Sequence, residues 1–572
     1  MKRTLILLTL VLGTVGLSFG QQKLAPELRG QFHRVTRDRN QNSVDVIVQY
    51  RVAPTDAHSA RIHNLGGTVH EGFASVKTIH AHVPASQLAN LSNDPDVRYV
   101  SPNRSLQGRL NNTTGAVNAN YAWSQGLNGS GIGVAVIDSG VANEQDLNTV
   151  SPAKSGSRIV ANYDTIGGGP NDQYGHGTHI AGIIAGNGAN SACSQCQIQL
   201  RGIAPNANIV NFHALDNNGN GSDASVISAI NQAIQLKKTY NIRVMNLSLG
   251  RPVFESYMVD PLCQAVEAAW KAGIVVVVAA GNDGRDNSQG TSGYGTISAP
   301  GNDPYVITVG AMNAEGTPDR SDDVMTTYSS KGPTPIDHIA KPDLVAPGNH
   351  VVSLLASAGT TLPKAYPRND VLVSYYQKGN SKALSNSYYV LSGTSMAAPV
   401  VSGAAAFLLQ NNPALTPDQV KARLMKTAYK NLPATSTITS GGSTFVVQSD
   451  LFTVGAGYLD IQAALQSTDV ATMPATSPTV TVDAATGNIY FVQSNSALWG
   501  SSALWGSSAV WGSNVFVGTQ SALWGSSALW GSSALWGSST TSGYSALWGS
   551  SALWGSATTQ TDSMSVAIGG DD

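Results

Sequence analysis

A chain of 572 residues is longer than one ordinary domain, so two or more folded units with connecting segments are expected. Only 12% of the residues are charged, about half the usual share, and Gly, Ser and Ala fill the difference. The formal net charge is −2 with no extended basic or acidic run, which gives no basis for nucleic acid or anionic lipid as a partner.

The first 20 residues are laid out as a secretory signal: Lys2 and Arg3, an apolar run from Leu5 to Leu17, then Ser18 and Gly20 before Gln21. That run is too short to span a bilayer comfortably and no later stretch is long enough, so the expectation is a secreted protein without a membrane span. From Val44 to Val100 the pattern reads strand, helix, strand, strand, helix, strand. It opens on the alternating V-D-V-I-V-Q-Y at 44–50, has a helical stretch near 56–64, strands near 67–83 and a short helix ended by Asp94-Pro95, and closes on V-R-Y-V at 97–100. That order predicts a small ferredoxin-like α+β sandwich over 44–104.

A polar stretch without periodic structure follows, and then apolar, β-branched runs bounded by glycine at 133–138, 207–212, 244–248, 274–280 and 305–310. Continuous runs of this kind are what strands buried on both faces of a parallel sheet show. Helical spacing separates them at 224–239, 262–272, 396–409 and 417–428, the last opening on Thr416, Pro417 and a capping-box Gln419. The alternation predicts a doubly wound α/β domain over 115–465. Residues 470–572 form a Ser/Gly/Trp-rich tail in which S-S-A-L-W-G repeats place tryptophans six residues apart, and 484–561 carries no Asp, Glu, Lys or Arg. An even period puts all tryptophans of a block on one side of an extended strand, which suits a surface or assembly role better than catalysis.

Three cysteines are present. Cys193-x-x-Cys196 reads as a local disulfide and Cys263 as a buried thiol, since a zinc site lacks its second ligand pair and a redox motif its thioredoxin-like context.

Amide hydrolysis needs a nucleophile, a base, a group that orients the base, and donors for the developing oxyanion. Asp138 ends the run G-V-A-V-I-D, at the carboxyl end of a predicted parallel strand where open α/β sheets bind ligands. His176, in Y-G-H-G-T-H-I-A-G, falls in the first turn of a tightly packed helix; an H-x-x-H metal pair with His179 lacks the glutamate and third ligand of zinc hydrolases. Ser395, in G-T-S-M-A-A-P, sits at a helix N-terminus that favours a developing anion. Asn282 brings an amide donor to the end of the run I-V-V-V-V-A-A-G. Each has a bland explanation alone, as turn residue, supporting histidine, N-cap or Gly-Asn turn.

D-S-G, H-G-T-H-I-A-G, A-A-G-N and G-T-S-M-A-A-P, in this order, resemble the signature segments of the subtilisin-like (subtilase) family of serine peptidases. The resemblance covers roughly 115–465 and implies a mainly parallel seven-stranded sheet and endopeptidase activity on protein or peptide substrates, with no cofactor for the chemistry. It implies that Asp138 orients, His176 acts as general base, Ser395 attacks, and Asn282 donates to the oxyanion. Ser248, Leu249 and Gly250 resemble the strand that pairs with substrate backbone; Ala280 and Gly281 would line the primary pocket and Ser298 would fall near its base. No acidic residue lies in these walls, so apolar residues are expected before the scissile bond. The unit at 44–104 resembles the family's inhibitor-type propeptide, implying an intramolecular inhibitor and folding aid removed by a cut between Arg104 and Thr114. Two departures stand out. The loop 187–201, where many members bind structural calcium, is rebuilt around Cys193 and Cys196, which puts calcium in doubt although Asp146 matches the carboxylate ligand. An insertion over roughly 357–387 separates K-P-D-L-V-A-P-G from the nucleophile.

Three rivals are weaker. A sedolisin-like acid peptidase would need a Glu base and an Asp donor. A dinucleotide site at G-S-G-I-G fails because those glycines precede a strand. A non-enzymatic adhesin acting through the Trp repeats would not require the four catalytic residues to be intact.

Overall fold

The computed structural model describes residues 23–25, 28, 43–74, 77–102, 109–149, 156–440, 443–482, 489–491, 515–517 and 568–571. These fall into two compact units, Met1–Leu106 and Gln107–Asp572. The secretory-signal stretch and the Trp repeats lie outside the described residues.

The first unit has strands β1 (Ser43–Tyr50), β2 (Thr68–Phe73), β3 (Thr78–Pro84) and β4 (Val97–Pro102) in the antiparallel order β2-β3-β1-β4, with helices α1 (Asp56–Asn64) and α2 (Leu88–Ser92) between them. Alternation does the sorting: Val46, Val48 and Tyr50 of β1 and Ile79, Ala81 and Val83 of β3 are buried with Ile62, Leu88 and Leu91 of the helices. Leu24, Ala25 and Leu28, ahead of the expected boundary, close the same core, and Ala25 N–H donates to the Val100 carbonyl at 2.9 Å.

In the second unit, strands β5 (Gly133–Asp138), β6 (Ile159–Asp164), β7 (Asn208–His213), β8 (Ile242–Leu247), β9 (Val275–Ala279), β10 (Ile307–Asn313) and β12 (Leu344–Pro347) are parallel. They run in the order β6-β7-β5-β8-β9-β10, with β12 beside β10. The seven parallel strands match the expected number; an eighth, the two-residue β11 (Val324–Met325), pairs antiparallel to β10. Helices α3 (His176–Ala185), α4 (Asp223–Leu236), α5 (Pro261–Lys271), α6 (Thr394–Asn411) and α7 (Pro417–Thr427) follow, with α3 packed on α6 and α4 on α5. Their starts obey local chemistry: Asp260 accepts from the amides of Leu262 and Cys263 ahead of Pro261, and Thr416 with Gln419 completes a capping box. α6 buries Met396, Val400, Val401, Phe407, Leu408 and Leu409, at about 1.5–3 kcal/mol each, which outweighs the modest cost of Gly403 inside a helix.

The chain order reverses across the sheet at β5: β6 and β7 lie on one side and β8, β9 and β10 on the other. The carboxyl end of β5 is therefore the switch point at which such sheets form their crevice. Two differences from the expected layout concern the flanks. The stretch 104–114, read as lacking periodic structure, carries the helix Arg109–Ala116, in which Asn112, Thr113 and Thr114 are buried. The core of the second unit also continues past 465, since Ala475 and Val480 are buried in it. The insertion expected over roughly 357–387 carries β14 (Asp370–Leu372) and the start of β15 (Leu384–Leu391), which form a sheet with the preceding β13 (Val351–Leu354).

Candidate active site

Asp138 is the last residue of β5 and fully buried; His176 opens α3; Ser395 lies in the first turn of α6. His176 Nδ1–H donates to Asp138 Oδ1 at 2.8 Å, and the same oxygen accepts the Ser139 amide at 2.8 Å. Burial alone would disfavour a charged ring, but the Asp138 carboxylate, by charge and hydrogen bond, and Asp172 behind it hold the His176 imidazole above its ordinary 6.5. Asp172 fastens the two elements together. It accepts the amides of Tyr174, Gly175 and Thr178 and the hydroxyls of Ser139 and Thr178, while Ser139 Oγ accepts the Gly177 amide at 3.0 Å.

His179, one turn on, points elsewhere. Its Nε2–H donates to the carbonyls of Val351 and Tyr389 at 3.1 and 3.2 Å, and burial pushes its pKa down to about 3, so it is a neutral packing residue.

Ser395 Oγ donates to the Ser248 carbonyl at 3.3 Å, and among the described residues no hydrogen bond joins it to His176. Catalytic hydrogen bonds of this kind commonly tighten only once substrate is present. The helix start is fixed by a chain of bonds: Ser402 Oγ to Asn246 Oδ1, Asn246 Nδ2 to Ser248 Oγ, and Ser248 Oγ to the Ser395 carbonyl at 2.7 Å. Asn282 Oδ1 accepts the Thr394 amide at 2.9 Å and faces its hydroxyl at 3.1 Å, which leaves Nδ2 as the free end of the amide. Thr394 Oγ1 also accepts the Gly281 amide at 3.1 Å.

The residues expected to line the substrate pocket converge. A Cβ on Gly250 would lie 2.9 Å from Ser298 Cβ, and one on Gly281 (φ +109°) would lie 2.5 Å from Ser298 Oγ, so both glycines are required where three backbone segments meet. Ser298 N–H donates to the Ala280 carbonyl, and Leu249 is half-buried against the core. None of these segments carries an acidic side chain. Sequence reasoning missed Thr394, Asn246 and Ser402, because each acts through a partner far away in the chain, and Asp172, whose local bonds to 174–178 read as an ordinary turn and whose tie to Ser139 appears only on folding.

The family model for "Subtilase family" matches residues 129–457. This chain belongs to the subtilase family. It is 37% identical over 362 residues to Serine protease AprX of Bacillus subtilis, covering 62% of this chain and 74% of that protein. It is 31% identical over 405 residues to Subtilisin E of the same species, covering 70% and 84%. A cold adapted subtilisin-like serine proteinase of known structure is 29% identical over 53% of this chain and 85% of that one, with a TM-score of 0.37. This subtilase is a subtilisin-type serine endopeptidase, and its substrates are peptides. Among the described residues no helix is long and apolar enough to cross a membrane.

Away from the crevice the loop 187–201 is built around its two cysteines, as the sequence led one to expect. Cys193 and Cys196 form a disulfide, and Cys263 is a buried free thiol. Both oxygens of Asp146 are engaged by donors: Oδ1 accepts the Asn190 amide at 2.6 Å and Oδ2 the Tyr388 hydroxyl at 2.8 Å. The buried Arg158 guanidinium donates to the carbonyls of Asp146, Ala185 and Ala207 at 2.6–2.8 Å. Burial lowers its pKa to about 10, so it is still charged at neutral pH.

Proposed function

We propose that this subtilase is made as a secreted precursor and cleaves internal peptide bonds through an acyl-enzyme on Ser395. His176 Nε2 takes the proton from Ser395 Oγ as that oxygen attacks the scissile carbonyl carbon. Asp138 holds Nδ1–H and stabilises the imidazolium that forms. The carbonyl oxygen, now anionic, lies against Asn282 Nδ2 and the Ser395 backbone N–H at the positive end of α6. His176 then protonates the departing amine, and a water deprotonated by the same ring releases the acyl group. The observation that carries this reading is the 2.8 Å bond from His176 Nδ1 to Asp138 at the switch point of the sheet, which fixes the ring with Nε2 free. A Ser395→Ala chain should lose casein hydrolysis; undiminished hydrolysis ends the assignment.

The acid-free walls around Ser298 favour an apolar residue before the scissile bond, and strict Lys or Arg preference on a peptide library would refute that. The sandwich over 44–104 serves as a removable inhibitor and folding aid. With Asn112–Thr114 buried in a helix, the cut belongs between Arg104 and Arg109. Mass spectrometry of the secreted form tests both secretion and the cut. For the chemistry no cofactor is needed. The donor set around Asp146 does not fit a calcium ion, because its carboxylate already accepts two donors and the neighbouring carbonyls already accept Arg158. Chelation should therefore leave the melting temperature unchanged; a fall restored by calcium would overturn this. The Trp repeats serve surface attachment or assembly, and a chain lacking 492–564 that binds cell surfaces as well as the full chain would exclude attachment.

A further inference from the structure

Beyond the Trp repeats the chain returns to the catalytic unit. Ile568, Gly569, Gly570 and Asp571 are seated on it, and Asp571 is fully buried. Its carboxylate meets Arg285 Nη2 at 2.6 Å and accepts the Thr327 hydroxyl at 2.5 Å and the Thr327 amide at 2.7 Å. The Asn349 side chain reads the Asp571 backbone on both sides, Oδ1 accepting its N–H at 2.9 Å and Nδ2 donating to its carbonyl at 3.0 Å. His350 Nε2–H donates to the Gly569 carbonyl at 2.6 Å, and Asn369 Nδ2 to that of Ile568 at 2.7 Å. At Gly570 (φ +64°) a Cβ would lie 2.3 Å from Asn349 Oδ1 and 2.4 Å from Ser392 Oγ, so only glycine fits.

A buried carboxylate held by a guanidinium and two further donors, a backbone gripped from both sides and an obligatory glycine together form a sequence-selective site. Without an occupant, the cation of Arg285 and the amide of Asn349 would lose their buried partners, which is costly. We propose that this is a dedicated peptide-binding pocket for a Gly-Gly-Asp segment, filled by the chain's own residues 568–571, and that its occupant braces the catalytic loops. The pocket walls place it there. Arg285 lies on the loop that starts at Asn282. Ser392 precedes the turn into Ser395, and the Gly348 carbonyl, beside Asn349, accepts the Gly393 amide at 2.8 Å. Asp571 thus joins the Arg285 loop to Asn349, next to the Gly348 that holds the nucleophile turn. Described residues before and after the Trp repeats, Val480 and Ile568, both pack on the core of this unit.

The bracing rests on the reading of Ser395 and Asn282 given above, whereas the binding does not, and the experiment separates the two. A chain ending at residue 564 and carrying Ser395→Ala is titrated with the peptide of residues 565–572. Saturable binding is expected, lost with the Asp571→Ala or Gly570→Val peptide; no binding by the folded protein overturns the pocket. In the active background, Asp571→Ala in the full chain should lower kcat about tenfold with KM little changed, the size of a small misplacement of catalytic groups. The active chain ending at 564 should show the same loss and regain kcat when the peptide is added. Unchanged kcat in Asp571→Ala, or a loss that peptide does not restore, overturns the bracing.

Discussion

Thr394→Val is the sharpest test of how the oxyanion donor is held. Removing an oxyanion-hole amide altogether costs about 2.7–4 kcal/mol of transition-state stabilisation. Valine keeps the volume and the backbone bond to Asn282 Oδ1 at 2.9 Å but removes the hydroxyl at 3.1 Å and the acceptor for the Gly281 amide. With about half of the restraint on Asn282 gone, the loss should be about 1.4–2 kcal/mol, a ten- to thirtyfold fall in kcat. KM should barely move, because the oxyanion forms only in the transition state. Thr394→Ser should retain most of the activity. The decisive measurement is a double-mutant cycle on kcat with Asn282→Ala. If Thr394 acts through Asn282, its substitution does little once that amide is absent, leaving a coupling of about 1–2 kcal/mol. Strict additivity of the two substitutions would refute the positioning role.

The other predictions concern the base and the rebuilt loop. Because Asp138 holds the folded-state pKa of His176 above 6.5, the midpoint of the acid limb of kcat/KM should lie above 6.5. By the same sign, the charged pair with Asp138 stabilises the fold fully below 6.5 and ceases to as pH rises through the folded value. An acid limb at or below 6.5 contradicts both statements. Arg158→Met would take the guanidinium donor from the buried carbonyls of Ala185 and Ala207 and leave that of Asp146 with the Asn187 amide alone, and denaturant unfolding should show a loss of about 2–5 kcal/mol. Tyr388→Phe should cost about 1.5–3 kcal/mol, because a buried carboxylate loses a hydroxyl donor, and a change under half a kcal/mol would count against it.

The central strands were legible because burial on both faces writes itself as unbroken β-branched sequence, as in Gly133–Asp138 and Val275–Ala279. β6 was not, since Val160 at the sheet edge is exposed and the run I-V-A-N-Y-D is mixed. β12 is only four residues long and ends in proline. Asp138, His176, Asn282 and Ser395 could be picked out because each lies at or just beyond the end of an element, in a motif local in sequence. Thr394 to Gly281, Asn246 to Ser402, and Asp571 to Arg285 are contacts made only by tertiary folding, and nothing near either partner announces the other. Composition also misled at the edges. The polar stretch before 114 became a helix because Asn112 finds the Gly316 carbonyl at 2.6 Å, a partner two hundred positions away.

The two departures singled out in the sequence, the cysteine loop and the insertion, are one structural answer to the same problem. A loop at the end of α3 that meets several backbone carbonyls and a buried carboxylate needs positive charge or donors to stay folded. Arg158 donates to the carbonyls, and the Cys193–Cys196 disulfide shortens the free path of the loop. The insertion completes the arrangement from outside: the Tyr376 carbonyl accepts the Gln197 amide at 2.8 Å, Lys378 N–H donates to the Gln195 carbonyl at 2.8 Å, and Tyr388 reaches Asp146. Because β15, which supplies Tyr388, runs directly into Ser392 and the nucleophile turn, loss of the Asp146 bond should also be felt at Ser395. The comparison that tests this is kcat against stability in Tyr388→Phe: a loop that only braces itself would lower the unfolding free energy while leaving kcat untouched, whereas a coupled one lowers both.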